Sequence, residues 1–248
     1  MSRIHRHPEK ASEPVYDLIV VGGGIYGVSM TLEAARRGLK VLLLERDDFG
    51  AATSWNSLRI LHGGLRYLQK LDLNRFSESV GERRWFCRHF PDLVRPLACL
   101  MPLYGRGMRR PSIFKLALRI NDRLSRKRNE GVRADRHFPD SRLLSRAETI
   151  SLFGAVDQRG LRGGALWYDA LMTNSQRVLV EMLRWACTCG ATVLNYVSAE
   201  QLILDGSRVG GARGVDRFTQ QSYSFRAPVL INCAGPWCGQ LAARFDRR

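Results

Sequence analysis

A glycine-rich turn between two short apolar segments is the feature that most constrains how this chain can fold. Residues 17–22 are an apolar, β-branched run, and they lead into the glycine-rich stretch at 22–27 (GGGIYG). Residues 28–37 have helical composition, and residues 40–45 form a second apolar run. A strand, a turn, a helix and a strand within about 30 residues predict one βαβ unit with buried parallel strands.

The spacing of three glycines in this turn predicts a dinucleotide site. Gly22 allows a tight turn, Gly24 lets the backbone approach a pyrophosphate, and Gly27 lets the helix pack closely on the sheet. The helix that follows directs its positive end at the phosphates. Glu45 lies 18 residues beyond Gly27, at the end of the second strand. A carboxylate there accepts hydrogen bonds from ribose hydroxyls and disfavours a 2′-phosphate.

The rest of the chain is interpreted as further α/β structure. Apolar spacing predicts a helix over 71–90 and a second helix from Tyr168 to Cys189. Short strands are predicted at 191–197, 209–215 and 220–226, and an apolar strand from residue 228 ends in Ala-Gly-Pro-Trp. The predicted domains are a flexible tail (1–14), a dinucleotide-binding domain in two parts (15–101 and 168–248), and a basic substrate or cap insertion (102–167).

Charge and hydropathy limit the possible partners. The chain has 248 residues, with 39 Lys and Arg against 23 Asp and Glu, so its net charge is +16. No zinc-finger, RRM or helix-turn-helix pattern accompanies this charge, so nucleic acid is not the expected partner. No apolar run approaches the roughly 20 residues of a transmembrane helix, and residues 1–14 lack the apolar core of a secretory signal. We expect a cytoplasmic protein.

The six cysteines predict neither a disulfide framework nor a metal site. Several lie in apolar stretches, where a thiol packs as a small hydrophobe. Cys187 and Cys189 are separated by one residue, whereas zinc sites usually space their ligands as CxxC and need a second pair. We assign these cysteines a structural role in a reducing compartment and expect no metal.

The segment after residue 102 is rich in arginine and leaves two interpretations open. Nine cations fall within 23 residues: Arg106, Arg109, Arg110, Lys115, Arg119, Arg123, Arg126, Lys127 and Arg128. Apolar residues recur between them at helical spacing: Ile113, Leu116, Ala117, Ile120 and Leu124. A basic amphipathic helix of this kind is typical of a membrane-surface element. Alternatively, its apolar stripe packs on the rest of the protein.

Several stretches together carry a resemblance to a known family. They are DLIVVGGGIYG at 17–27, Leu44-Glu45, Ala52-Thr53-Ser54, HGGLRYL at 62–68, Tyr168-Asp169-Ala170, Arg177, Gly190-Ala191, Asn195-Tyr196 and NCAGPW at 232–237. With these the chain resembles FAD-dependent glycerol-3-phosphate dehydrogenases, in the D-amino-acid-oxidase-like flavoprotein superfamily. HGGLRYL is far more specific than the glycine pattern. The implied fold is α/β, with a Rossmann-like FAD-binding domain of the glutathione-reductase/D-amino-acid-oxidase type and a partial cap region.

The resemblance also implies a cofactor, FAD, and a set of site residues. The residues implied to bind FAD are Gly22, Gly24, Gly27, Glu45, Thr53, Ser54, Val197, Ala234 and Gly235. Among them, Thr53 and Ser54 are expected near the pyrophosphate and flavin, and Val197 is expected to meet the adenine through its backbone. Arg66 and Tyr67 are expected to face the substrate beside the flavin ring.

The implied reaction is hydride transfer from sn-glycerol 3-phosphate to FAD, with the electrons passed to a quinone at the inner membrane face. Arg66 can hold a phosphate as a bidentate fork, and Tyr67 can orient an oxygen. His62 has two possible roles: it accepts a proton, as an imidazole that titrates near neutrality can, or it fixes its loop against the flavin. These three residues are the predicted catalytic group.

Two departures from the family keep other functions open. Trp55 and Leu58 stand where the family usually has small hydroxyl residues, which could reshape the pocket. The chain is also about half the length of family members, whose second halves supply further substrate-binding groups. The alternatives are a related amino-acid or hydroxy-compound oxidoreductase, and an incomplete FAD-binding half that needs a partner chain. Partners could then include a second copy or a complementing half.

Overall fold

The computed structural model describes residues 3–68, 70–105 and 110–245. The chain divides into two compact units: unit 1 comprises residues 1–58 and 174–248, and unit 2 comprises residues 59–173. Each unit is built around sheets of its own.

Unit 1 contains the predicted βαβ element at the centre of a parallel sheet. Its elements are α1 (Pro8–Ala11), β1 (Leu18–Val21), α2 (Ile25–Arg36), β2 (Val41–Leu44), α7 (Ser175–Thr188), β7 (Thr192–Leu194), β8 (Val197–Asp205), β9 (Arg208–Asp216), β10 (Ser222–Arg226), β11 (Leu230–Asn232) and α8 (Cys238–Phe245). The parallel sheet has the order β11-β1-β2-β7. Strands β1 and β2 are buried along their whole length, because they lie inside a parallel sheet. The α/β fold class is confirmed.

A second sheet in unit 1 is antiparallel, with the order β10-β9-β8. Its inner face joins the parallel sheet in one apolar cluster that includes Ile19, Leu42, Leu194 and Phe225, all fully buried. A strand was predicted to end at Val197, whereas β8 begins there and continues to Asp205. Tyr196, which precedes it, has a positive φ of 54°, and this break separates β7 from β8.

Part of the segment predicted as a tail is packed against unit 1. Pro8 and Ala11 in α1 are buried. The Arg6 guanidinium lies 2.7 Å from the carboxylate of buried Asp216, and it stacks over the ring of Phe218 at 5.0 Å. An ion pair with a buried carboxylate fixes a segment that composition alone described as flexible.

Unit 2 is built on an antiparallel sheet with helices beside it. Its elements are β3 (Ile60–Leu61), α3 (Leu65–Leu68), α4 (Leu73–His89), β4 (Val94–Leu103), α5 (Pro111–Leu124), β5 (Arg142–Leu144), α6 (Arg146–Leu152) and β6 (Gly163–Met172). The order is β3-β6-β4, and β5 also pairs with β6. Because β3 and β4 pair with β6, residues 59–101 lie in the same unit as the predicted insertion, whose boundary at 102 therefore falls inside unit 2.

Two element predictions in this region differ from the structure. The helix predicted from Tyr168 was wrong at its start: Tyr168 lies in β6, and α7 begins only at Ser175, where the Asn174 side chain accepts the N–H of Arg177 at 2.9 Å. Strand β4 was not predicted, since Pro96 and Pro102 fall within it. Both prolines are tolerated because β4 is at the end of the strand order.

The predicted basic helix is present as α5, but its apolar stripe is not the face that packs on the unit. Phe114 and Leu118 are buried against β5 and β6. The stripe residues Ile113, Leu116, Ile120 and Leu124 are instead exposed. Arg106 and Arg109 of the same cationic segment lie outside the described residues. In the described ranges, no helix combines the length and hydropathy needed to cross a bilayer.

Candidate functional site

Only glycine fits at two of the three predicted positions in the turn between β1 and α2. Gly22 has a φ of +111°, and a Cβ there would lie 2.4 Å from the carbonyl oxygen of Cys233. A Cβ on Gly27 would lie 1.8 Å from the carbonyl oxygen of Gly22. These glycines therefore serve the packing of the turn against its own helix and the end of β11.

Gly24 differs, because the protein itself does not require a glycine there. It is the N-cap of α2, with extended backbone angles (φ −78°, ψ −176°). A Cβ at this position would meet only the hydroxyl of Ser54, at 3.2 Å. The space in front of the helix N-terminus is therefore open to a group brought from outside. A pyrophosphate fits this space, since the backbone N–H groups and the positive end of the helix dipole favour an anion.

Glu45 is fixed at the carboxyl end of β2 by its own hydrogen bonds. One carboxylate oxygen accepts the N–H of Gly23 at 2.5 Å, and the other accepts the N–H of Asp47 at 2.8 Å. An ionised carboxylate has about four lone-pair positions. Two acceptor positions therefore remain, enough for a pair of ribose hydroxyls beside the glycine turn.

The loop of Thr53 and Ser54 reaches the same turn through Ser54. The Ser54 hydroxyl accepts the N–H of Ile25 in the first turn of α2 at 2.9 Å, so it caps the helix. The hydroxyl of Ser175, at the start of α7, donates to the Ser54 carbonyl at 3.1 Å and holds the loop in place. Thr53 is exposed. The structure thus brings Ser54 into contact with the turn.

Val197, Ala234 and Gly235 lie at the same edge of the parallel sheet. The N–H of Val197 donates to the carbonyl of Glu45 at 2.8 Å, so this N–H is not available to an adenine. Gly235 has a φ of +57° and opens a single 3-10 turn after β11. The backbone nitrogen of Ala234 would be 3.0 Å from a Cβ on Gly22, which places this segment against the glycine turn.

In unit 2, the His-Gly-Gly segment is tied to the middle of β6. The N–H of Gly63 donates to Oδ1 of Asp169 at 2.7 Å. Nδ1 of His62 lies 3.2 Å from Oδ2 of the same carboxylate. Asp169 is buried, whereas the side chain of His62 is 69% exposed. One carboxylate therefore fixes both the backbone of this segment and one edge of an accessible imidazole.

Behind this carboxylate lies a buried arginine from α4. Nη1 of Arg83 donates to the carbonyl of Tyr168 and lies 3.8 Å from Oδ1 of Asp169, and the guanidinium stacks on Phe138 at 4.3 Å. A Cβ on Gly63 would come within 2.0 Å of Nη1, so only glycine fits there. Burial lowers the pKa of Arg83, and the charge of Asp169 acts against this shift.

Neither Arg83 nor Asp169 is among the site residues predicted from the sequence. A signal for Arg83 was present, since it shares one face of α4 with Phe76, Val80 and Cys87, all of them buried. An arginine on the apolar face of a helix needs a buried acceptor. No local pattern marks Asp169 as that acceptor, because the two residues are 86 positions apart.

The two other predicted catalytic residues lie on α3, the single helical turn after Gly64. Arg66 is exposed, and it forms no ion pair with any residue in the described part of the chain. Tyr67 is half-buried, and its N–H donates to the carbonyl of Gly64 at 2.8 Å. An exposed guanidinium with no ion-pair partner among the described residues can bind an external anion.

The cysteines have the properties of packed thiols. All six are free. Burial raises the pKa of Cys87 and of Cys187 to about 11, so both are protonated at neutral pH. Across the described ranges there is no cluster of three or more His, Cys, Asp or Glu residues that could hold a metal ion.

The glycine cradle, Glu45 and the open space at Gly24 are the features of a dinucleotide site, and comparison with known proteins decides the family. The family model described as FAD dependent oxidoreductase (DAO) matches residues 17–248. The chain belongs to this family. FAD is accordingly its cofactor, as the resemblance implied, and the cradle in unit 1 fits the ADP half of that molecule.

Relatives within the family are also similar over most of the chain. Aerobic glycerol-3-phosphate dehydrogenase of Staphylococcus aureus is 33% identical over 223 residues, which cover 90% of this chain and 38% of that protein. Glycerol-3-phosphate dehydrogenase from Bacillus halodurans, solved with FAD, matches with a TM-score of 0.69 and 25% identity over 95% of this chain and 37% of that one. The chain thus spans a little over a third of the length of these relatives.

More distant structures share the fold. Glycine oxidase from Bacillus cereus matches with a TM-score of 0.61 and 16% identity, over 94% of this chain and 60% of that one. L-alpha-glycerophosphate oxidase from Mycoplasma pneumoniae, solved with FAD bound, matches with a TM-score of 0.63 and 16% identity, over 94% of this chain and 57% of that one. The predicted FAD-binding fold of the D-amino-acid-oxidase type is confirmed.

Proposed function

We propose that this protein takes part in the FAD-dependent oxidation of sn-glycerol 3-phosphate to dihydroxyacetone phosphate, with the electrons passed to a quinone. The observation that carries the proposal is the 33% identity over 90% of the chain to an aerobic glycerol-3-phosphate dehydrogenase. The exposed Arg66 in the HGGLRYL segment, which has no ion-pair partner in the described ranges, adds an anion-binding group suited to a phosphorylated substrate.

In unit 1, the proposed role of the residues is to hold the ADP half of FAD. Gly24 leaves the space in which the pyrophosphate meets the N-terminus of α2, and Glu45 accepts the ribose hydroxyls. FAD itself supplies the two-electron acceptor for the hydride that leaves the carbinol carbon.

In unit 2, the proposed role of the residues is to bind and orient the substrate. Arg66 binds the phosphate as a bidentate fork, and Tyr67 orients an oxygen of the polyol. As the carbinol carbon gives up its hydride, the hydroxyl proton moves to Nε2 of His62, so that the oxygen becomes a carbonyl without passing through a free oxyanion. The exposed imidazole edge of His62 is accessible for this transfer.

The test is an absorbance spectrum of the purified chain with added FAD, followed by anaerobic addition of glycerol 3-phosphate. We expect a bound flavin band that bleaches, and Arg66→Ala should keep the band and lose the response to the phosphorylated substrate. Bleaching with amino acids or unphosphorylated hydroxy compounds instead would favour the related oxidoreductases. A bound flavin that stays oxidised with every substrate would favour a half that works with a partner chain.

We further propose that α5 docks on an anionic membrane surface at the inner face of the membrane. Ile113, Leu116, Ile120 and Leu124 are exposed, and exposed cations accompany them: Lys115, Arg119, Arg123, Arg126 and Lys127. Exposed apolar side chains beside cations match the interface of a bilayer that contains anionic lipid.

This docking can be measured by sedimentation with vesicles of phosphatidylcholine alone or mixed with phosphatidylglycerol. We expect binding to the mixed vesicles only, and Leu116→Glu should weaken it roughly tenfold by removing about 1.5 kcal/mol of apolar burial. Leu152→Glu, an exposed leucine on α6, is the matched control and should bind like the wild type. Equal losses in both variants would contradict a specific role for α5.

A further inference from the structure

The carboxylate of Asp169 makes four contacts that divide cleanly between its two oxygens. Oδ1 accepts the N–H of Gly63 at 2.7 Å and faces the guanidinium of Arg83 at 3.8 Å. Oδ2 lies 3.2 Å from Nδ1 of His62 and 3.9 Å from Sγ of Cys99. We refer to His62, Asp169 and Arg83 together as the His62 network.

The charges in the network determine which imidazole nitrogen carries the proton. Arg83 is 4% exposed, its Nη1 lies 3.8 Å from Oδ1 of Asp169, and the same oxygen accepts the N–H of Gly63. A carboxylate only accepts hydrogen bonds, so the nitrogen that faces it must be the donor. His62 therefore carries its proton on Nδ1, and in the neutral ring Nε2 is the unprotonated nitrogen.

We propose that Asp169 is a positioning residue that holds His62 in the Nδ1–H tautomer, with the lone pair of Nε2 directed away from β6. Arg83 anchors the carboxylate from behind through its contacts with Tyr168 and Phe138. The use of that lone pair as a proton acceptor rests on the proposed function. The tautomer itself does not, since it follows from contacts within unit 2.

The burial of the Arg83 guanidinium indicates that the ion pair of Arg83 with Asp169 does more than fill space in the core of unit 2. Nε of Arg83 is buried and has no hydrogen-bond partner among the described residues, so the guanidinium is held in place at a cost in solvation. Two apolar residues of matching shape would fill the same space without that cost. What the ion pair adds is a fixed negative charge directed at one edge of an imidazole that is otherwise exposed.

The tautomer can be read directly from the 15N chemical shifts of the imidazole rings in the full chain, at a pH where the rings are neutral. The chain has five histidines, and His62→Gln identifies the signals of residue 62 by their disappearance. We expect Nδ1 of His62 to resonate as a protonated nitrogen and Nε2 as an unprotonated one. An Nε2–H tautomer in the wild type would overturn the proposal, and this measurement needs neither FAD nor substrate.

Asp169→Asn provides the matched perturbation. The N–H of Gly63 requires an oxygen at the Oδ1 position, so the asparagine amide directs its NH2 group at His62. That donor must meet an unprotonated Nδ1, so the variant should switch His62 to the Nε2–H tautomer. Asp157→Asn is the control: in the part of the chain that the structure describes, the hydrogen bonds of the Asp157 side chain go to Arg159, so this variant should leave the His62 signals unchanged.

The outcomes separate this proposal from the proposed function. A switch in Asp169→Asn but not in the control supports the positioning role, and an unchanged tautomer in a folded Asp169→Asn variant overturns it. If the variant fails to fold, the wild-type spectrum alone decides. An Nδ1–H tautomer in a protein whose flavin ignores glycerol 3-phosphate would uphold the positioning role and contradict only the proposed reaction.

Discussion

Gly27 is the position where a single methyl group should do the most damage to the nucleotide-binding turn. In Gly27→Ala the new Cβ would lie 1.8 Å from the carbonyl oxygen of Gly22 and 3.3 Å from Cβ of Cys233. Non-bonded contacts of this kind are favourable at about 3.5 Å, so α2 and the end of β1 would have to separate by roughly 1.7 Å. The obstacle is backbone, which cannot rotate away as a side chain can.

The expected loss of stability follows from this clash. Overpacking usually costs about 1–3 kcal/mol, and a backbone obstacle inside a parallel sheet places Gly27→Ala at about 3 kcal/mol. For a chain of this size that corresponds to a fall in Tm of about 6–12 °C, measured by circular dichroism without FAD. Isothermal titration with FAD should show binding weakened or lost in the same variant.

Gly239→Ala is the matched control within unit 1. Gly239 lies in α8 with nothing within 4 Å of an added Cβ, so alanine should stabilise the helix by about 0.5–1 kcal/mol. The same substitution should thus change the Tm in opposite directions at the two positions. A Gly27→Ala protein that melts within about 2 °C of the wild type would refute the close approach of α2 to Gly22.

Three further predictions concern the same unit. Gly24→Val should leave the far-ultraviolet circular dichroism unchanged but abolish FAD binding by filling the space before α2, and wild-type FAD occupancy would contradict the site. Ser54→Ala should lower the free energy of unfolding by about 1 kcal/mol through loss of the helix cap, as urea denaturation can measure. Burial raises the pKa of Asp216, but the Phe218 N–H and Arg6 lower it more, so its net pKa is below the usual value. The contribution of the Asp216 carboxylate to the free energy of unfolding is therefore complete above the unfolded-state pKa of about 3.9, and it is lost as pH falls through the lower folded-state pKa. Asp216→Asn should remove this part of the dependence of the free energy of unfolding on acid pH.

The local parts of the fold could be predicted from the sequence because their causes are local. The strand-turn-helix-strand order around residues 17–45 follows from apolar runs and glycines that are adjacent in the chain. Strand β6 was misread from Tyr168 onward, because a strand that is buried or half-buried at successive positions has no alternating pattern to separate it from a helix.

The site residues could be predicted only where they belong to a recognisable sequence motif. Glycine spacing indicated the cradle, whereas the partners of His62 come from a helix and a strand distant in sequence. Similarly, periodicity identified α5 as amphipathic but could not say which of its apolar residues face the protein. The structure buries Phe114 and Leu118 instead of the stripe, because the two sets lie on different sides of the helix.

The division of unit 1 into two chain segments has a consequence for biosynthesis. Strand β1 can pair with β2 early, but β11, its other neighbour, lies at Leu230–Asn232. Unit 2 is one continuous stretch of chain between these two segments, so it can fold before the second segment of unit 1 has been synthesised. At a ribosomal rate of about 5–20 residues per second, β1 keeps an open edge for roughly 10–40 s. The apolar edge of the nascent nucleotide-binding sheet is therefore a natural substrate for chaperones until β11 emerges.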